Sequence, residues 1–199
     1  MQTNRSLADI RSVEALRAAL AAGAEPDYVY FWSSFLDPAG RITETCLAQW
    51  YAAGFTLDGV AYRTAEHYMM AEKARVFGDA LALAKILRSR FPAEVKRFGR
   101  EIAAFDEARW QAARFAIVVR GNVAKFSQHP ALADYLLGTG NAILVEASPA
   151  DAIWGIGLAE EHPYTRQPRL WPGLNLLGFA LMEARETLRR PHSPESSSA

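Results

Sequence analysis

Glu66, Met70, Lys73 and Phe77 recur at i, i+4, i+7 and i+11, a spacing that sets all four side chains along one stripe of a helix. One face then carries a carboxylate, an amine and apolar walls. Seven residues of helical rise separate Glu66 from Lys73 by about 10.5 Å, too far for a direct ion pair but suited to two groups that converge on one ligand. A carboxylate can move a proton, and an amine can bind phosphate or attack a carbonyl carbon. Taken alone, the stripe fits a solvated helix face equally well.

A second cluster, residues 146–157, reads EASPADAIWGIG and follows the apolar run AILVEA. It places Glu146 at a strand end and Asp151 in the loop beyond, where functional side chains are often presented. Trp154 precedes Gly155-Ile156-Gly157, where the backbone can approach closely, and its indole can stack on a planar base or close the core.

Other chemistries lack their residues. His67, His129, His162 and His192 include no i, i+4 pair, and His67 and Glu72 lie about 140° apart round a helix, so no metal site is expected. Gly138-Thr139-Gly140 and Gly155-Ile156-Gly157 lack the third glycine of a dinucleotide loop, and neither a Walker loop nor a G-x-S-x-G elbow occurs. Cys46 is the single cysteine and has no base nearby in sequence.

Lys plus Arg and Asp plus Glu each number 22, so no global positive field draws in a nucleic acid, which would need a local patch. One cysteine permits no internal disulfide, and residues 1–17 show no export signal. A cytoplasmic location is expected, with no membrane span. Half of the 199 residues are hydrophobic, enough for one compact core.

The elements that must hold these groups follow from periodicity. Leu7, Ile10, Val13, Leu16 and Leu20 predict an accessory helix over residues 7–22, set apart as 1–25. The run YVYFWSSF at 28–35 predicts a strand, and Asp37-Pro38-Ala39-Gly40 suggests that it opens a hairpin. Asp58-Gly59 between FTL and VAY predicts a tight type I′ hairpin. Thr64 is the expected cap of a helix through Phe77, followed by helices over 79–89 and 93–105, a long one from the Asp106 cap to Arg120, and a short one over 131–137. A strand at 142–147 and a helix over 173–189 complete a mainly α chain with a small β component, an α+β class. The Pro/Ser-rich tail, 190–199, is expected to be disordered.

Three blocks carry a family resemblance: YRTAEHYMMAEKA at 62–74, EAS with Asp151 and WGIG at 146–157, and WPGLNLLG at 171–178. Together they resemble the YbiA/NADAR family, with Lys125-Phe126, Leu136-Leu137 and Thr139-Gly140 fitting between the blocks. Ser33-Ser34-Phe35 departs from the Ser-Asn-Phe of many relatives. The resemblance implies a single YbiA-like domain over 26–189 that hydrolyses an N-glycosidic bond without a cofactor. Its substrate would be a ribosylaminopyrimidine phosphate of early riboflavin synthesis, or ADP-ribose attached to guanine, including guanine in nucleic acid.

For such chemistry Glu66 is the candidate general acid/base, Asp151 orients ribose or water, and Lys73 binds phosphate or forms a Schiff base. Trp154 and Trp110 are candidates for stacking on the base. Arg63, Lys125, Glu146 and Asn175 are candidates for binding phosphate or ribose. A non-catalytic binder of ADP-ribose is the rival reading, and a scaffold recruited through the helix at 7–20 is a third.

Overall fold

The computed structural model describes residues 7–190. The predicted tail therefore lies outside the described residues, apart from Arg190. Seven α-helices and two small sheets surround one core among the described residues.

The N-terminal segment is broken where one helix was expected. Leu7–Asp9 forms a single 3₁₀ turn, and Ser12 then starts helix α1 (Val13–Ala21) by accepting from the Ala15 N–H at 3.1 Å. Ile10, Val13 and Leu16 are buried in the same core as the rest of the chain. Arg17 fastens α1 further, donating to the carbonyls of Pro168 and Trp171, both at 3.1 Å.

Strand β1 (Tyr28–Phe31) ends sooner than YVYFWSSF suggested and opens no hairpin. It pairs in parallel with β4 (Ile143–Glu146), Tyr28 opposite Ile143 and Phe31 opposite Glu146. The turn at Asp37 does form, closed by Gly40 N–H to Asp37 O at 2.9 Å, but it leads into irregular chain. The reason is burial: Ile143, Leu144 and Val145 are fully enclosed, each contributing about 1.5–3 kcal/mol, and β1 covers their edge as a local hairpin partner could not.

The second hairpin forms as its turn dictates. Strands β2 (Phe55–Leu57) and β3 (Val60–Tyr62) pair antiparallel, with Asp58 at φ 52° and Gly59 at φ 75°. It feeds helix α2 (Ala65–Phe77), whose Thr64 cap accepts from the His67 N–H.

Helix α2 is the scaffold's hub, packed against α3 (Ala80–Arg88), α4 (Pro92–Arg100) and α5 (Glu107–Ser127). Gly99 permits the α2–α4 approach: a Cβ there would fall 2.0 Å from the Met70 sulfur. Helix α4 stops at Arg100 rather than running to Phe105, because the chain turns back where Ala103 donates to Asp79 Oδ2 at 3.0 Å. Helix α5 continues past Arg120 to Ser127, since Gly121 and Asn122 face the core instead of ending it. Helices α6 (Pro130–Gly138) and α7 (Leu176–Arg189) complete the fold, α7 lying on α5 and β4. No helix of the described residues is long and apolar enough to cross a membrane.

Candidate active site

The start of α2, the end of β4 and the face of α5 converge on a cavity of about 560 Å³. Glu66 enters from the first turn of α2, its N–H donating to Gln49 O at 3.0 Å. Glu146 enters from the end of β4. Its N–H donates to Asn175 Oδ1 at 2.9 Å, and Asn175 Nδ2 donates to Leu144 O at 2.9 Å, so Asn175 braces the strand end from the start of α7.

Beyond Glu146 the chain folds on Asp151. Its Oδ1 accepts from the N–H groups of Ile153 and Trp154 at 2.9 and 2.8 Å, while Oδ2 faces Lys96 Nζ at 3.8 Å. Ile156 N–H returns to Glu146 O at 2.9 Å, and a Cβ on Gly155 would meet that same oxygen at 2.8 Å. The glycine lets the loop close tightly enough to hold Trp154 at the cavity wall.

Both glutamates are held far from their ordinary acidity. Glu66 is buried, and desolvation pushes its carboxyl up to about 7; Asp151 adds to the rise, and Lys96 and Trp50 oppose it. Desolvation likewise pushes Glu146 up to about 8, with Asp151 and Glu66 adding repulsion and Lys96 opposing. Part of the Glu146 side chain remains at the cavity surface, but its Oε2 is shielded from solvent. Glu66 Oε1 and Glu146 Oε2 are buried without a hydrogen-bond partner among the described residues, an arrangement that favours a protonated carboxyl awaiting a ligand.

Lys73 stands one helical stretch along from Glu66. Its Nζ donates to Gly99 O at 2.8 Å and lies 4.3 Å above the Phe105 ring and 5.5 Å from that of Trp110. Desolvation lowers its pKa, partly offset by Glu107 and Glu66. On α5, Trp110 and Arg114 line the cavity one turn apart, with Arg114 nearly buried and 3.6 Å from Glu107.

The cavity thus brings together Glu66, Lys73, Trp110, Glu146, Asp151 and Trp154 of the residues singled out in the sequence. It leaves three outside. Arg63 lines a neighbouring groove. Asn175 is fully buried and spends its amide on β4. Lys125, also fully buried, donates to Cys46 O at 2.6 Å and Ala48 O at 3.2 Å, and burial pushes its amine down to about 8. Lys125 and Asn175 are both buried and bonded to backbone groups, so the cavity does not bring them to the other candidates.

Sequence reasoning missed Gln49, Trp50, Lys96, Arg100 and Arg114 in the lining. Arg114 stood one turn from Trp110, and Lys96 and Arg100 share an i, i+4 spacing, so helical periodicity could have found these three. Trp50 sits in irregular chain and gave no periodic signal. It is presented there because α5 clamps the segment before it, through Lys125 and through Asn122 Nδ2, which donates to Gln49 Oε1 at 3.2 Å.

Residues 30–189 match the NADAR domain. The chain belongs to the NADAR family. Among relatives, it is 42% identical over 164 residues to the N-glycosidase R617 of Acanthamoeba polyphaga mimivirus, spanning 80% of this chain and 95% of that one. It is 34% identical over 148 residues to the riboflavin biosynthesis protein VVA0006 of Vibrio vulnificus, spanning 74% of this chain but 36% of that longer protein. The NMR structure of the Escherichia coli protein YbiA superposes with a TM-score of 0.64 at 26% identity, covering 97% of this chain and 99% of that one. The NADAR match takes in every element that lines the cavity, from the segment after β1 to α7.

Proposed function

We propose that this NADAR protein is an N-glycosidase that hydrolyses the C1′–N bond of a ribosylated, phosphorylated small molecule. The observation that carries the reading is the pair of shielded carboxyls, Glu66 and Glu146, held near neutrality in one aromatic-walled cavity. Breaking the bond sends its electron pair to the base nitrogen, which needs a proton, and leaves positive charge shared between C1′ and the ring oxygen. Glu146, protonated at neutral pH, supplies that proton. Glu66, partly ionised at the same pH, stabilises the developing cation and takes the proton lost when water adds to C1′.

The surroundings suit a phosphorylated ligand. With Glu146 protonated and Glu66 ionised, Lys73, Lys96, Arg100 and Arg114 face Glu66, Asp151 and Glu107, so the lining is still net positive. Trp154, Trp110 and Trp50 offer faces for a planar base. Asp151, already tied to its own loop, turns Oδ2 toward Lys96 and can orient a ribose hydroxyl or the attacking water. A non-catalytic ADP-ribose binder could use a carboxylate on a ribose hydroxyl, but two buried carboxyls beside the phosphate-binding cations repel the phosphates once ionised.

The two substrate classes consistent with this reading are ribosylaminopyrimidine phosphates of early riboflavin synthesis and ADP-ribosylated guanine, free or in nucleic acid. Incubation with each, following release of the free base by chromatography, tests the proposal. Release from one and not the other assigns the class; binding of both without release would defeat the enzyme reading.

A further inference from the structure

Trp50 lines two spaces at once: the cavity that holds Glu66, and a neighbouring groove of about 770 Å³. That groove carries Arg63, just ahead of α2, and Arg90, just ahead of α4. Both side chains are exposed, and among the described residues neither has an ion-pair or hydrogen-bond partner. No Asp or Glu of the described residues lines the groove, although the chain has as many acidic as basic residues. Thr64 and Pro92, at the N-terminal ends of α2 and α4, also line it, so two helix dipoles present their positive ends to the same space.

Unpaired arginines beside a substrate cavity, without acidic neighbours, leave their bidentate donors free for an anion. We propose that Arg63 and Arg90 form a second anion subsite, continuous with the catalytic cavity across Trp50, which takes a phosphate carried by the substrate beyond the scissile ribosyl bond. This rests on the N-glycosidase reading for what occupies the catalytic cavity. Because Trp50 borders both spaces, a base placed against its indole can carry a phosphate into the groove, while Lys73, Arg100 and Arg114 line the cavity itself. The groove then acts in specificity: it favours substrates that place phosphate in both spaces.

The test compares adenosine, ADP and inorganic pyrophosphate as probes by isothermal titration at low salt, with the full chain, an R63Q/R90Q double variant and R169Q. The substituted arginines are exposed, and unchanged melting temperatures verify the fold. The expected result is that ADP binds wild type at least about tenfold more tightly than adenosine, the scale of a charge-assisted contact. Most of that gain is lost in R63Q/R90Q and kept in R169Q, an exposed arginine outside both spaces, while adenosine affinity stays the same in all three proteins. Pyrophosphate alone binds more weakly than ADP, because it lacks the stacked base. Full ADP affinity in R63Q/R90Q, an equal loss in R169Q, or no phosphate-dependent gain in wild type overturns the subsite. Pyrophosphate binding as tightly as ADP overturns delivery of the phosphate by the substrate. Base release is assayed on the same wild-type preparation: no release alongside arginine-dependent ADP binding would sink the N-glycosidase reading and leave the subsite standing.

Discussion

Glu66 and Glu146 meet across one cavity from unrelated elements, a helix start and a strand end, and each turns a shielded, unpartnered oxygen into the fold. Burial strips both carboxyls of solvent, and among the described residues neither has a direct ion pair, so each keeps a proton to unusually high pH. Two groups that titrate between about 7 and 8 in one cavity can exchange protons with a substrate at neutral pH.

Glu66→Gln is expected to fold as wild type and to lose turnover by about two orders of magnitude or more, the usual scale for a lost acid/base group. Circular dichroism and base release measured on one preparation check it. A folded variant with unchanged turnover would remove Glu66 from the mechanism.

The same pair links stability to pH. Both carboxyls are raised in the folded state, so their stabilising proton uptake is complete below the unfolded value near 4.5 and is lost as pH rises through about 7 and 8. Glu146→Gln removes that loss. Its stability relative to wild type, read as the change in melting temperature, should therefore rise from pH 5 to pH 9 by at most about 4 kcal/mol of linkage. A constant difference across this range would mean that Glu146 ionises normally. Because the two groups interact, wild-type turnover should show two apparent values belonging to the pair, with activity falling above about pH 8 as Glu146 loses its proton.

Much of this was legible in the residues. Local signals fixed local structure: Asp58-Gly59 made its hairpin, Thr64 and Asp106 capped their helices, and the stripe from Glu66 to Lys73 does face one cavity. What escaped was long-range. The parallel pairing of β1 with β4 joins segments more than a hundred residues apart, and no local pattern encodes it. Lys125 and Asn175 became candidates because they lie in the segments that carry the family resemblance. Only the tertiary fold reveals that they bond to buried backbone carbonyls. Trp50 depends on the same tie, since Lys125 holds the chain that presents it.

Lys125→Met tests that structural role. The substitution keeps the chain length but strips the donors from Cys46 O and Ala48 O inside the core. The expected cost is about 2–4 kcal/mol, read as a lower denaturant midpoint without change in slope. Unaltered stability with a raised KM would instead return Lys125 to the substrate.

Lys73 has two chemistries open to it, and its surroundings pull between them. Desolvation lowers its pKa, while the Phe105 ring at 4.3 Å and the Gly99 carbonyl at 2.8 Å both favour the cation. A neutral Nζ that donates one N–H to Gly99 O keeps its lone pair free. It could then attack C1′ of the ring-opened ribose, displace the base as a protonated amine, and form an imine that water later hydrolyses to regenerate lysine. In that case borohydride added during turnover reduces the imine to a stable secondary amine, and mass spectrometry finds the sugar attached at Lys73. Lys73→Arg, which cannot form the imine, should then lose turnover by about a hundredfold or more. If the ammonium serves only to hold phosphate, no adduct appears and the arginine variant retains appreciable activity, because its charge survives. An active Lys73→Arg without any trapped adduct would sink the covalent route while leaving Glu66 and Glu146 to carry the hydrolysis.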